Sequence, residues 1–238
     1  MATVRGAVGR ALEGLLTEYV ADAADRWDHI YVRGLGEALD GATRRARHYV
    51  IAGLVADVSG HAPRVLDVGC GSGSLYRHLR RVDPIYQGID PSSRAIQRCR
   101  ERFAEDKHCS FEVASFDEYE PRGTFDVIIL DDTFLSLPMR RTRAVIDKAV
   151  AYLSGPESVL VISLSNPLKG PLLWAACRTA LPEPLQRISV SARAIPLLGD
   201  RWTVKAYTHL KTESDEDPMA PPVSGVDGPP LRWRDKVS

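Results

Sequence analysis

The chain has 238 residues, 44% of them hydrophobic, which is enough to bury one ample core, and its 31 basic and 31 acidic side chains cancel to a formal charge of zero. That balance disfavours nucleic acid as a partner, because nucleic-acid binders usually carry an excess of positive charge. No apolar run approaches a membrane span, no signal peptide precedes the first acid, and four cysteines stand without zinc or disulfide spacing, so the expectation is a cytoplasmic protein without metal.

Residues 1 to about 26 are alanine-rich, with Val8, Ala11, Leu15 and Val20 spaced for one helical face. The stretch Asp25 to Gly34, which holds Trp27, His29, Tyr31 and Arg33, interrupts that pattern. A second helix is predicted over Thr43 to Val58, with Thr43 as its cap and Tyr49, Val50, Leu54 and Val55 as its buried side. Arg44, Arg45 and Arg47 on this helix, like Arg140, Arg141 and Arg143 further on, read as a solvated face, or otherwise as an attraction for an anionic ligand. His48, His78 and His108 fall on helix or loop surfaces and carry no predicted role.

A short buried strand from Val65 to Val68 then meets a turn with Gly69, Gly71 and Gly73, followed by the helical pattern Leu75, Leu79, Val82. Such a turn lets the backbone approach a ligand closely, with a helix N-terminus aimed at it. The next strand, Ile85 to Asp90, ends in a carboxylate placed to accept hydrogen bonds from two ribose hydroxyls. Dinucleotide turns space their glycines G-x-G-x-x-G; here the spacing is G-x-G-x-G, and Asp67 precedes the first glycine by two residues. Near-buried at a strand tip, Asp67 needs a partner, either turn N–H groups or a cationic ligand amine.

Asp67 to Gly73 followed by Gly88-Ile89-Asp90 resembles the cofactor site of class I S-adenosylmethionine-dependent methyltransferases, in the branch that acts on small molecules of secondary metabolism. The resemblance implies that Asp67, Gly69, Cys70, Gly71 and Gly73 hold the methionine moiety of S-adenosyl-L-methionine, and that Asp90 with Pro91 holds the ribose. It further implies that the N-terminal helices lie across the cofactor, with His29, Tyr31 and Arg33 as candidates for catalysis or acceptor binding. A plain anchoring role for Trp27 and Tyr31 is the rival reading.

A helix is predicted from Ser92 to Glu105 and a third strand from Ser110 to Ala114. The family's adenine-holding acid aligns with Ser115, whereas the acid here is Asp117, so either Phe116 lies against the adenine face or Asp117 substitutes. Thr124 to Leu130 is the most apolar strand and therefore central and parallel. It runs into Asp131 and Asp132, beyond the carboxyl end of the sheet where ligands bind. Asp131 is the candidate for cofactor contact and Asp132 for the general base or orienting group, with a turn-capping role as the alternative. No Asn/Asp-Pro-Pro-aromatic turn follows, which resembles small-molecule rather than base-methylating enzymes.

A helix from Arg143 to Tyr152 precedes a fifth strand, Ser158 to Ser163, after which Asn166 is the candidate to hydrogen-bond an acceptor. Leu172 to Thr179 is helical, and Gln186 to Ser191 and Trp202 to Leu210 alternate as an antiparallel pair. The expected fold is therefore α/β: a Rossmann-like doubly wound sheet, mostly parallel, with an antiparallel C-terminal hairpin strand. Residues 1–60 read as a helical lid, 61–211 as the cofactor-binding domain and 212–238 as a disordered tail. The expected activity is methyl transfer to oxygen or nitrogen of a small molecule, by a monomer or homodimer. RNA or protein methylation, a non-methylating cofactor-binding protein (partner subunit or cyclase) and a nicotinamide-dependent oxidoreductase are the rivals.

Overall fold

A computed structural model describes Asp25, Asp28 and residues 42–60, 62–165, 170–195 and 198–208. His29, Tyr31, Arg33, Asn166 and the expected tail 212–238 lie outside these residues.

The first described helix, α1 (Ala42–Val58), leads into β1 (Arg64–Val68), which is followed by the glycine turn and α2 (Tyr76–Leu79). Then come β2 (Ile85–Asp90), α3 (Ser93–Arg102), β3 (Cys109–Val113), β4 (Val127–Asp131), α4 (Thr142–Ala151), β5 (Val159–Leu164), α5 (Gly170–Ala180), β6 (Gln186–Ile195) and β7 (Leu198–Thr208). They build one seven-stranded sheet in the order β3-β2-β1-β4-β5-β7-β6. β1 to β5 are parallel, and β7 runs antiparallel between β5 and β6.

Both faces of the sheet are covered, which is why its central strands read as near-continuous apolar runs. Val65, Val127, Ile129, Val159, Val161, Val204 and Ala206 face a core completed by Ile51, Leu54 and Val55 of α1, Tyr76 and Leu79 of α2, and Ile96 and Cys99 of α3. The alternate residues Leu66, Val68, Ile128, Leu130, Leu160, Ile162 and Tyr207 pack with Val145, Ile146 and Ala149 of α4 and Leu173 and Cys177 of α5. This alternation sets where the polar strand ends point: Asp131 continues the face of Val127 and Ile129, toward α1.

Several boundaries differ from expectation for local reasons. α2 is four residues long and tightens into a 3-10 turn over Arg80–Val82, closed by Asp83 in the left-handed region (φ 51°) just before Pro84. The helix after the glycine turn is thus too short to direct a dipole at a ligand. β4 begins at Val127, three residues late, because Asp126 turns aside to accept from Arg64 N–H and Ser154 Oγ, both at 2.8 Å. On α1 the buried stripe is Ile51, Leu54 and Val55, and Tyr49, expected inside, is 57% exposed.

Candidate active site

The three turn glycines all have positive φ (78°, 55° and 73°), as the sharp reversal above β1 requires. A side chain at Gly73 is excluded twice over, since its Cβ would also lie 2.8 Å from the Phe103 ring. The turn is held by the acid of the neighbouring strand: Asp90 accepts from Gly71 N–H and from Ser92 N–H, both at 2.9 Å. Burial pushes the Asp90 carboxyl up to about 6, against the pull of these two N–H groups.

Asp67, 2% exposed, accepts a 2.6 Å hydrogen bond from Tyr86 Oη. Burial, helped by the charges of Asp131 and Asp90, raises it to about 7 although the Tyr86 bond opposes this. One hydroxyl is poor compensation for a buried carboxylate, so this is a place that favours a cation. Cys70 and Cys99 lie beneath the turn, both directed at Gly71 O, and burial raises the Cys70 thiol.

At the tip of β4, Asp131 lies 3.1 Å from Arg47 Nε and 3.4 Å from His48 Nε2. Burial works to raise its carboxyl, but the Arg47 guanidinium and then His48 pull it well below the ordinary carboxylate range. Asp132 takes a left-handed conformation (φ 57°) and is held on three sides. It accepts from Arg47 Nη1, from Ser165 N–H at 2.8 Å and from Ser165 Oγ at 2.7 Å. Next to it, Thr133 Oγ1 donates to Val68 O at 2.6 Å, joining the β4 tip to the β1 tip beside Gly69.

The structure therefore gathers Asp67, Gly69, Cys70, Gly71, Gly73, Asp90, Asp131 and Asp132 at the carboxyl edge of β1, β2 and β4. It places the remaining candidates differently. Phe116 is buried among Leu66, Val68 and Ile89, edge-on to Tyr152 at 6.3 Å. Ser115 Oγ donates to Glu118 at 3.0 Å, Asp117 pairs with Arg141 at 2.8 Å, and Pro91 is half-buried before Ser92.

Arg47 and His48 correct the sequence reading. Arg47 is 1% and His48 5% exposed, so neither belongs to a solvated face or a helix surface. The sign was in the periodicity: Arg47 stands four, seven and eight residues before Ile51, Leu54 and Val55, in phase with the buried stripe. Asp28 was also missed. It accepts from Ser92 Oγ, from Ser93 Oγ at 2.9 Å and from Arg94 N–H at 3.1 Å, so it caps α3 from outside beside the Asp90 loop.

Comparison with known proteins agrees with this geometry. The family described as "Methyltransferase domain" matches residues 65–155, the span from the first buried residue of β1 to just past α4. Over these residues the chain is similar to class I, S-adenosylmethionine-dependent methyltransferases. Among curated proteins, the chain is 30% identical over 110 residues to a ubiquinone biosynthesis O-methyltransferase of Bradyrhizobium diazoefficiens. That alignment covers 43% of this chain and 40% of the relative, so the chain spans about two fifths of the relative's length. Among solved structures, the N-methyltransferase NodS of Bradyrhizobium japonicum WM9 with S-adenosyl-L-homocysteine superposes with TM-score 0.61 at 21% identity, covering 84% of this chain and 98% of that one. Magnesium protoporphyrin IX methyltransferase of Synechocystis PCC 6803, with bound S-adenosylmethionine, gives 0.55 at 20% identity, covering 81% and 100%. At these identities the two structures establish the shared fold. Among the described residues, no helix is long and apolar enough to cross a membrane, and no group of His, Cys, Asp and Glu is arranged to hold a metal.

Proposed function

We propose that this chain transfers a methyl group from S-adenosyl-L-methionine to an oxygen or nitrogen of a small molecule, in natural-product biosynthesis and in the cytoplasm. The observation that carries the reading is the pair of buried carboxylates, Asp67 and Asp90, on either side of the glycine turn. Asp67 offers negative charge where burial leaves it short of a partner, which suits the α-ammonium of a methionine moiety. Asp90 keeps lone pairs beyond its two N–H contacts, which suits two ribose hydroxyls. His48 Nδ1, buried without a hydrogen-bond partner beside Asp131, offers polar capacity that the same amino-acid end would take up. The residues present fit the cofactor.

When bound, the cofactor supplies an electrophilic methyl whose leaving group is a neutral thioether. The chain's own work is then positioning, which is worth roughly 7–11 kcal/mol when a nucleophile is held in line. Arg47 keeps Asp131 ionised, pairs with Asp132 and fixes α1 against the β4 tip. Asp132, already engaged by three donors, acts as an orienting group for the acceptor edge rather than as a free base. His29, Tyr31, Arg33 and Asn166 are proposed to complete the acceptor side. The names of the relatives, one an O- and one an N-methyltransferase, support an oxygen or nitrogen acceptor.

Calorimetric titration with S-adenosylhomocysteine, followed by radiolabelled methyl transfer to a panel of phenols and amines, tests the proposal. The expected result is tight binding of the cofactor product and label in at least one acceptor class. Uptake of NADH with no affinity for the sulfonium or its product would overturn it. Binding without transfer to any acceptor would reduce the chain to a cofactor-binding partner.

A further inference from the structure

On the face of the sheet opposite Arg47, β7 carries a second buried cation that the cofactor site does not use. Lys205 is 7% exposed and is paired in register with Ile162, so its side chain enters the layer under α5. Its Nζ lies 4.3 Å from the centre of the Trp174 ring of α5. Among the described residues, no carboxylate comes within ion-pair distance of it. Its largest electrostatic neighbour is of its own sign. Arg187 stands directly opposite Lys205 on β6, an arrangement of like charges that costs a sheet stability, and Arg178 projects from α5. Burial and then Arg187 make the ammonium easier to deprotonate, with Arg178 acting the same way; Cys177 and Glu183 oppose this from Coulomb range.

A lysine buried to this extent, faced by two more cations and with no carboxylate at ion-pair distance among the described residues, is costly unless something negative joins it. Cation–π contact with Trp174 offsets part of that cost, and supplies a flat apolar wall beside the charge. The geometry points to a binding site for a compact anionic group, a carboxylate or a phosphoryl, between α5 and the β6–β7 hairpin. Lys205 is its buried donor, Arg178 and Arg187 form its outer rim, and Trp174 is its wall. The site stands on β5, β7 and α5 and does not depend on the methyl-transfer reading. Its ligand is either a free anion or the anionic end of a larger molecule.

The test uses the whole chain without cofactor and titrates inorganic phosphate or acetate at an ionic strength held constant with chloride. The expected result is a saturable quench of tryptophan fluorescence, with a parallel rise in melting temperature by ligand linkage. Lys205→Met should abolish both, and Lys205→Arg should keep them. If Lys205→Met does not fold, the exposed Arg178→Gln and Arg187→Gln variants carry the test, each weakening the response severalfold. Saturation by acetate alone assigns a carboxylate, and by phosphate alone a phosphoryl group. If acceptor turnover is found, competition between acceptor and anion marks the site as the acceptor's anionic end, and its absence marks a free anion. A response that survives in Lys205→Met, or one that chloride reproduces, overturns the proposal.

Discussion

Replacing Arg47 with methionine tests the buried charge cluster that ties α1 to the tip of β4. The side chain is 1% exposed and contacts both Asp131 and Asp132, whose side chains are 10% and 12% exposed. Methionine keeps most of the volume, so the loss is electrostatic: two neighbouring carboxylates remain buried without their cation. Breaking a buried pair in this way costs about 3–5 kcal/mol, which for a chain of this size lowers the melting temperature by about 6–20 °C. The pH dependence is the sharper test. In the wild type the Asp131 value is depressed below its unfolded one, so its contribution is fully present above the unfolded value and fades only as the pH falls through the folded one. Without the guanidinium, burial raises the carboxyl with only His48 and the Ser163 hydroxyl opposing, and protonation then relieves the strain. The gap between variant and wild type should therefore narrow as the pH falls from about 8 to about 5. Urea denaturation followed by circular dichroism measures it, and Arg47→Met/Asp131→Asn should recover part of the loss. A loss under about 1 kcal/mol, or one that does not change with pH, would refute the assignment.

The cofactor edge makes its own predictions. Asp67→Asn should stabilise the unliganded fold at pH 8 by on the order of 1–3 kcal/mol while weakening cofactor binding at least tenfold. A carboxyl whose folded value is raised to about 7 costs increasing stability as the pH climbs from its unfolded value, so the gain should vanish in acid; thermal melts across pH check this. Asp90→Ala removes the two charge-assisted ribose bonds proposed for it and should weaken S-adenosylhomocysteine about a hundredfold or more by calorimetry. Asp132→Asn should leave cofactor affinity nearly intact and slow turnover at least about tenfold, measured as the kcat and KM separately. Asp28→Ala should cost about 0.5–2 kcal/mol of stability through the lost cap on α3, read by urea denaturation.

The fold was legible because its strands are buried on both sides. Val127 to Leu130 and Val159 to Ile162 are apolar without interruption, and Val65 to Val68 is broken only by Asp67; such runs between helical segments admit few arrangements other than a parallel sheet. The hairpin was legible for the opposite reason, since β6 and β7 alternate polar and apolar residues. Boundaries failed where a side chain took over from the backbone. Asp126 delays β4 by accepting from Arg64 N–H, and Asp83 ends the α2 turn in a left-handed conformation; neither choice leaves a mark in local periodicity.

Half of the site could be read from the chain and half could not, for one physical reason. Asp67, the glycines and Asp90 lie within one strand–turn–strand unit, so their spacing along the chain is also their spacing in space. Arg47 reaches Asp132 across 85 positions, and Asp28 reaches Ser92 across 64. No local pattern records contacts of that kind. What the sequence does hold is an anomaly: a basic residue in phase with an apolar stripe. A charge that falls on the buried side of a helix must be neutralised there or the helix would turn, and the sheet edge beneath α1 offers two carboxylates. Lys205 is the converse case: it stands in the polar phase of β7, yet it is 7% exposed and has no carboxylate in contact among the described residues. Arg47 found its counter-charge inside the fold, while Lys205 meets none among the described residues and is left for the anion proposed above.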